Sequence, residues 1–248
     1  MNAIQELRSR LLNPKSSFAA VEAYKTARTN LMFTRVGEGC QIIAFTSSFP
    51  SEGKTLSCAN LAKTIAQNGQ KVLLIDADLR RLTTSCLFQA QKKTGLSEYL
   101  AGIPQAGSAD KTAASLLIEE EPNLYILPSG QIPPNPAELL ASKQMEDLLR
   151  EVSWQFDYVL IDTPPVSIVT DALVLAKVVT GYILLVQAGT TPLSELQYTV
   201  QHLQQVGANI LGFLLNDLDA KSGSYKYHSY EGYSAGKYSK SNASAMVN

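Results

Sequence analysis

The stretch Ser47-Ser48-Phe49-Pro50-Ser51-Glu52-Gly53-Lys54-Thr55 constrains the fold more than any other part of the chain. It follows an apolar run over 41–46 and precedes a helix-like stretch over 56–67, so it reads as a strand, a phosphate-cradling loop and a helix. In such a loop successive backbone N–H groups and the helix N-terminus face the phosphates of a nucleotide. Lys54 then reaches the β- and γ-phosphate oxygens and the Thr55 hydroxyl holds Mg²⁺, while Pro50, Ser51, Glu52, Gly53 and Leu56 line the phosphates. The pattern has glycine where this chain has Ser48, which predicts a loop that tolerates non-glycine backbone angles.

From Gln41 onward short apolar runs alternate with helical stretches. The runs lie at 42–46, 72–75, 124–127, 158–161, 182–186 and 210–215, and the helical stretches at 56–67, 136–152, 170–178 and 192–206. Continuous apolar runs suit strands covered on both faces, so the predicted fold is α/β: a P-loop NTPase with a doubly wound, mostly parallel sheet and helices on both faces. Residues 1–34 read as two helical pieces broken at Asn13-Pro14, because proline disfavours helix in the residue before it. Weaker helical signals lie at 96–100 and 112–118. The expected organisation is an N-terminal helical segment at 1–34, a P-loop domain at 35–218 and a tail at 219–248. With 248 residues and 45% hydrophobic content, the chain fills one such domain with a full core.

Ligands of open α/β sheets bind at the carboxyl ends of the strands. Three runs end there in polar residues: Asp76-Ala77-Asp78 after 72–75, Asp162 after 158–161, and Asn216-Asp217 after 210–215. Any one aspartate is most simply a turn or cap residue. Aspartates after three apolar runs on the rim that carries the loop point instead to metal and proton chemistry. Asp162 is expected to hold Mg²⁺, directly or through water, and of the Asp76/Asp78 pair one serves metal and the other is free as a base. The segment 129–136, with Pro133, Pro134 and Pro136, reads as a stiff connector whose Asn135 caps the next helix.

With 21 basic and 22 acidic residues, nothing favours nonspecific nucleic-acid binding by the chain as a whole. Cys40, Cys58 and Cys86 fall in no metal spacing and read as reduced packing residues of a cytosolic protein. No apolar run approaches the length of a membrane span, and the first residues lack the apolar block of a signal peptide, so a membrane role is expected to run through a partner. After Asp219 the composition changes to Ser, Gly, Lys and Tyr. Five of the eleven tyrosines lie there: Tyr225, Tyr227, Tyr230, Tyr233 and Tyr238. A segment with so few aliphatic residues is expected to be disordered. One reading is a sticky or base-stacking tail, and the other a string of phosphate acceptors that enter an active site with no fold to undo.

Taken together these motifs resemble the bacterial tyrosine kinases (BY-kinases), cytoplasmic kinases of the capsule and exopolysaccharide type. The resemblance rests on Glu22-Ala23-Tyr24-Lys25-Thr26-Ala27-Arg28-Thr29-Asn30, Gly53-Lys54-Thr55, the strand running into Asp76-Ala77-Asp78-Leu79-Arg80, Pro133-Pro134-Asn135-Pro136, Asp162-Thr163-Pro164-Pro165 and the tyrosine tail. It implies ATP-dependent phosphorylation of the tail tyrosines, mainly of a neighbouring subunit in a ring. It also implies a membrane-embedded activator of polysaccharide export that recruits the chain to the inner face of the membrane, and exogenous protein substrates. By resemblance Lys54 binds phosphates, Thr55 and Asp162 serve Mg²⁺, Asp76 accepts the tyrosine proton, Asp78 supports the metal and Asn216 contacts the base. Glu22, Lys25 and Arg28 form the ring contact, where Lys25 replaces an arginine and keeps the charge without the bidentate fork. Two alternatives share the fold: a partitioning or septum-positioning ATPase, and a non-catalytic ATP-binding scaffold. The ATPases carry a further lysine near the loop start, and 47–51 has none.

Overall fold

Strand side chains alternate between the two faces of a sheet, so a strand that is apolar at every position must be covered on both sides. The computed structural model describes residues 3–35, 37–103 and 112–218. Among them β1 (Gln41–Ser47), β2 (Val72–Asp76), β3 (Ile118–Glu121), β4 (Leu124–Leu127), β5 (Tyr158–Asp162), β6 (Gly181–Gln187) and β7 (Ile210–Asn216) form one sheet ordered β3-β4-β2-β5-β1-β6-β7. Only β3 runs antiparallel to its neighbour.

The helices are α1 (Ala3–Ser9), α2 (Phe18–Phe33), α3 (Lys54–Ala66), α4 (Thr83–Leu87), α5 (Leu96–Leu100), α6 (Pro136–Leu140), α7 (Lys143–Ser153) and α8 (Leu193–Gln205). On one face Ile43, Phe45, Leu74, Leu160 and Leu185 pack with Leu31 of α2, Leu61 and Ile65 of α3 and Leu87 of α4. On the other, Ala44, Leu73, Ile75, Ile161 and Leu184 pack with α5, with Leu140 of α6, with Met145 and Leu149 of α7 and with Leu203 of α8. Each buried aliphatic side chain contributes about 1.5–3 kcal/mol, and the two dry faces are what hold the strands in register. The expected doubly wound, mostly parallel architecture is what the chain adopts.

Three local expectations are corrected. The helix expected over 136–152 is two helices, because Ser142 donates its hydroxyl to the Leu139 carbonyl at 2.6 Å and accepts from the Met145 N–H, ending α6 and capping α7. The helix expected over 170–178 shrinks to a 3₁₀ turn at Leu173–Leu175, since the Ala172 carbonyl accepts from the Tyr182 hydroxyl at 2.7 Å and the Asp171 carboxylate is taken by Arg80. The helix expected over 112–118 is a 3₁₀ turn, Ala113–Leu116, that runs into β3. Being Ile-Glu-Glu-Glu, β3 has no apolar run to reveal it, and its charges suit a sheet edge. The five-residue helix α4 went unforeseen.

The N-terminal pieces form as α1 and α2, with Ser17 capping α2 through the Ala20 N–H. Asn60 of α3 ties the linker between them, accepting from the Leu12 N–H at 2.8 Å and donating to the Arg10 carbonyl at 3.2 Å. Residues 1–216 make one unit and 217–248 another. The tail expectation, with its five tyrosines, lies outside the described residues.

Candidate active site

Because β1, β2 and β5 are parallel neighbours, their carboxyl ends share one rim. Asp76 lies in register with Asp162, and Phe45, three residues before the loop, lies in register with Asp162 from the other side. The topology thus gathers the loop at 48–53, the Asp76/Asp78 pair and Asp162 into one place.

The loop carries its backbone strain at Ser51 (φ 68°) and Gly53 (φ 88°). Ser48 keeps an ordinary backbone, in keeping with the expected tolerance of non-glycine angles there. Its side chain is used instead, accepting from the Thr199 hydroxyl of α8 at 2.9 Å, while its carbonyl accepts from Ser167. At Gly53 a Cβ would lie 2.0 Å from Asn216 Nδ2, so both the left-handed conformation and the close approach require glycine.

Lys54 is 9% exposed. Its Nζ stands 3.5 Å from Asp78 Oδ2 and 3.9 Å from Asp162 Oδ1, and donates to the Thr55 hydroxyl at 3.4 Å. Burial pulls the Lys54 pKa down, but the Asp162 and Asp78 carboxylates outweigh it and leave the ammonium above its ordinary range.

Asp76 and Asp162 are fully buried, and each is held by one oxygen only. Asp76 Oδ2 accepts from the Ser85 N–H at 2.8 Å and the Ser85 hydroxyl at 2.6 Å, and Asp162 Oδ2 from the Thr84 hydroxyl at 2.7 Å. The Oδ1 atoms of both are buried and accept no hydrogen bond. A buried acceptor left bare is costly unless a cation or proton donor meets it; the Lys54 ammonium stands 3.9 Å from Asp162 Oδ1, whereas Asp76 Oδ1 has no hydrogen-bond partner among the described residues. Burial, with the Asp162 charge beside it, pushes the Asp76 carboxyl up to about 7 against the pull of Ser85. Burial likewise raises Asp162, with Lys54 opposing. Among the described residues no three His, Cys, Asp or Glu side chains form a metal cluster by themselves.

A family model described as an AAA domain matches residues 40–211. Tyrosine-protein kinase YwqD of Bacillus subtilis is 38% identical over 208 residues, which make up 84% of this chain and 85% of that protein. The chain belongs to the bacterial tyrosine kinases. Tyrosine-protein kinase wzc of Salmonella typhimurium is 35% identical over 86% of this kinase, which spans only 29% of that relative's length. The solved kinase domain of Escherichia coli tyrosine kinase ETK superposes with a TM-score of 0.77 at 36% identity, covering 89% of this kinase and 84% of that chain. The septum site-determining protein MinD of Pyrococcus horikoshii, solved with Mg-ADP, matches at a TM-score of 0.58 and 24% identity over 71% of this kinase and 70% of that chain, a likeness of fold alone.

Several site residues of the kinase were invisible in the sequence. Thr84 and Ser85 of α4 hold the two buried carboxylates, and Ser129, from the segment read as a connector, pairs its hydroxyl with that of Ser85 at 2.8 Å. Arg80 makes a bidentate pair with buried Asp171 at 2.8 and 2.9 Å, tying the loop after Asp78 to the loop after β5. On α2 the three charged residues divide. Glu22 and Lys25 pair at 2.7 Å on the outer side, whereas Arg28 turns inward and donates to the Thr64 carbonyl of α3 at 3.2 Å. On the same helix Ala23 is exposed and Leu31 is buried.

Proposed function

We propose that this kinase transfers the γ-phosphate of ATP to the tail tyrosines Tyr225, Tyr227, Tyr230, Tyr233 and Tyr238, mainly on a neighbouring copy. The observation that carries the reading is the bare, buried Oδ1 of Asp76 on the rim shared with Lys54, Asp78 and Asp162. A tyrosine hydroxyl has a pKa near 10 and attacks poorly at neutral pH unless a carboxylate takes its proton. Asp76 has an oxygen free for that proton and a proton affinity lifted towards neutrality. The phenolic oxygen bonds to the γ-phosphorus, the bond from γ-phosphorus to the bridging oxygen breaks, and ADP leaves. Lys54 offsets charge on the phosphates, and the loop amides and the start of α3 position them.

Thr55, Asp78 and Asp162 are the residues that fit Mg²⁺, and the unbonded Asp162 Oδ1 supports that assignment. Bound there, the ion supplies charge neutralisation at the β- and γ-phosphates. Asn216 keeps its Oδ1 for a base contact while its Nδ2 donates to the Glu52 carbonyl at 3.1 Å. Glu22 and Lys25 on the outer side of α2 face a neighbouring copy in a ring, and Arg28 braces that helix from within. Among the described residues no helix is long and apolar enough to cross a membrane, consistent with a cytoplasmic kinase recruited to the membrane by an embedded activator of capsule or exopolysaccharide export. Exogenous protein substrates would enter by the same rim.

Transfer between copies is tested by mixing the parent chain with a size-tagged Lys54→Met copy, ATP, Mg²⁺ and the activator's cytoplasmic segment. Phosphotyrosine is expected on the tagged copy, which cannot make its own. Phosphate confined to the parent chains would contradict transfer between copies.

A further inference from the structure

Glu52 is a buried carboxylate, 2% exposed, with no cation among its bonded partners. Such a group is tolerated only if donors satisfy it, and two do. Its Oε2 accepts from the Phe49 N–H at 2.9 Å, within the loop, and its Oε1 accepts from the Thr191 hydroxyl, which lies between β6 and α8. Thr191 Oγ1 in turn accepts from the Gln187 N–H at 3.0 Å, so the hydroxyl is oriented by the end of β6. The Glu52 carbonyl takes a third contact, from Asn216 at the end of β7, and that contact lays the amide of Asn216 over Gly53. One residue therefore closes the loop on itself and fastens it to two neighbouring strands.

The geometry points to Glu52 as a positioning residue that locks the nucleotide loop to the rim formed by β6 and β7, so that nucleotide affinity is set through Thr191 as well as through the loop. Ser51 and Gly53 flank Glu52 with positive φ angles, and a strained conformation persists only where its surroundings over-determine it. Without the Glu52 side chain the Phe49 N–H and the Thr191 hydroxyl lose their acceptor and the loop amides lose their common direction. The carboxylate itself acts on the backbone that cradles the phosphates, which distinguishes it from Lys54. The expected defect is in binding, with turnover at saturating nucleotide largely kept.

This assignment rests on the reading that the loop binds ATP, and the test separates the two. Binding of a fluorescent non-hydrolysable ATP analogue with Mg²⁺ is measured on the full chain, parent and variants. Glu52→Ala is expected to raise Kd about tenfold or more, and Thr191→Val about threefold, since the first removes both hydrogen bonds to the carboxylate and the second only one. Glu52→Gln, which keeps an acceptor for Phe49 and a polar contact to Thr191, is expected to recover most of the affinity. The double variant Glu52→Ala/Thr191→Val should bind no worse than Glu52→Ala alone, because the link is already gone. Kinase assays should show KM for ATP rising with Kd while kcat stays within about threefold. A folded Glu52→Ala chain that binds like the parent overturns the proposal. If Glu52→Ala does not fold, a folded Thr191→Val chain with parental Kd overturns it equally. A parent chain that fails to bind the analogue refutes the nucleotide reading and takes the Glu52 assignment with it.

Discussion

Replacing Lys54 with Met abolishes phosphotyrosine formation in a chain assayed alone. Methionine keeps the length of the side chain and removes its charge and its donors. On the proposed function, what is lost is the cation that meets the transferring phosphoryl group, a loss that for a single preorganised donor is worth about 10²–10³ in rate and more where the charge is full. The fold is expected to survive. Asp162, left beside an apolar side chain, loses the ammonium 3.9 Å away and takes up a proton more readily, which lowers the penalty of burying it. Circular dichroism matching the parent, with no phosphate on any tyrosine, is the expected pair of results. Parental phosphorylation in this variant would remove Lys54 from the site.

Asp76→Asn should do two opposite things. It should abolish transfer, because the amide cannot take the tyrosine proton, and it should make the nucleotide-free protein more stable. The sign follows from linkage. An acid whose carboxyl rises from 3.8 unfolded to about 7 folded binds its proton more tightly in the native state, so its stabilising protonation is complete below 3.8 and is lost as pH climbs through 7. At pH 8 the ionised, buried Asp76 therefore opposes folding, by on the order of 4 kcal/mol at about 1.36 kcal/mol per pH step. Asparagine never ionises and still offers an oxygen to Ser85. Its Tm at pH 8 is expected to exceed the parent's by about 5 °C or more, with the gap narrowing as pH falls below 7 and the parent takes up its proton. A Tm difference that does not depend on pH would contradict a carboxylate strained by burial. A residue kept at a cost to stability is what a functional site predicts.

The large features were legible because they are periodic or contiguous. Apolar runs revealed six of the seven strands among the described residues, and the register of β1, β2 and β5 follows from placing those runs side by side. Asp76, Asp78 and Asp162 could be picked out because each follows such a run. Residues that act across the chain were another matter. Thr84 and Ser85 lie on a five-residue helix with no apolar period, and only the fold shows that their hydroxyls face the two buried aspartates. Ser129 looked like part of a proline-stiffened connector, yet its hydroxyl meets Ser85. The Glu52 and Thr191 contact spans 139 positions, beyond the reach of any local pattern. Arg28 lies three residues after Lys25, as Lys25 does after Glu22, but its long side chain reaches over α3 to a carbonyl. Spacing sets where a helical residue starts, and the neighbouring element decides where its tip ends.

The central claim, phosphate transfer to the kinase's own tail, is tested most directly by mapping phosphotyrosine by mass spectrometry on the parent chain incubated with ATP, Mg²⁺ and the activator's cytoplasmic segment. Phosphate is expected on Tyr225, Tyr227, Tyr230, Tyr233 and Tyr238. An unmodified tail from a chain that still hydrolyses ATP would contradict it and assign the site to the chemistry of a positioning ATPase.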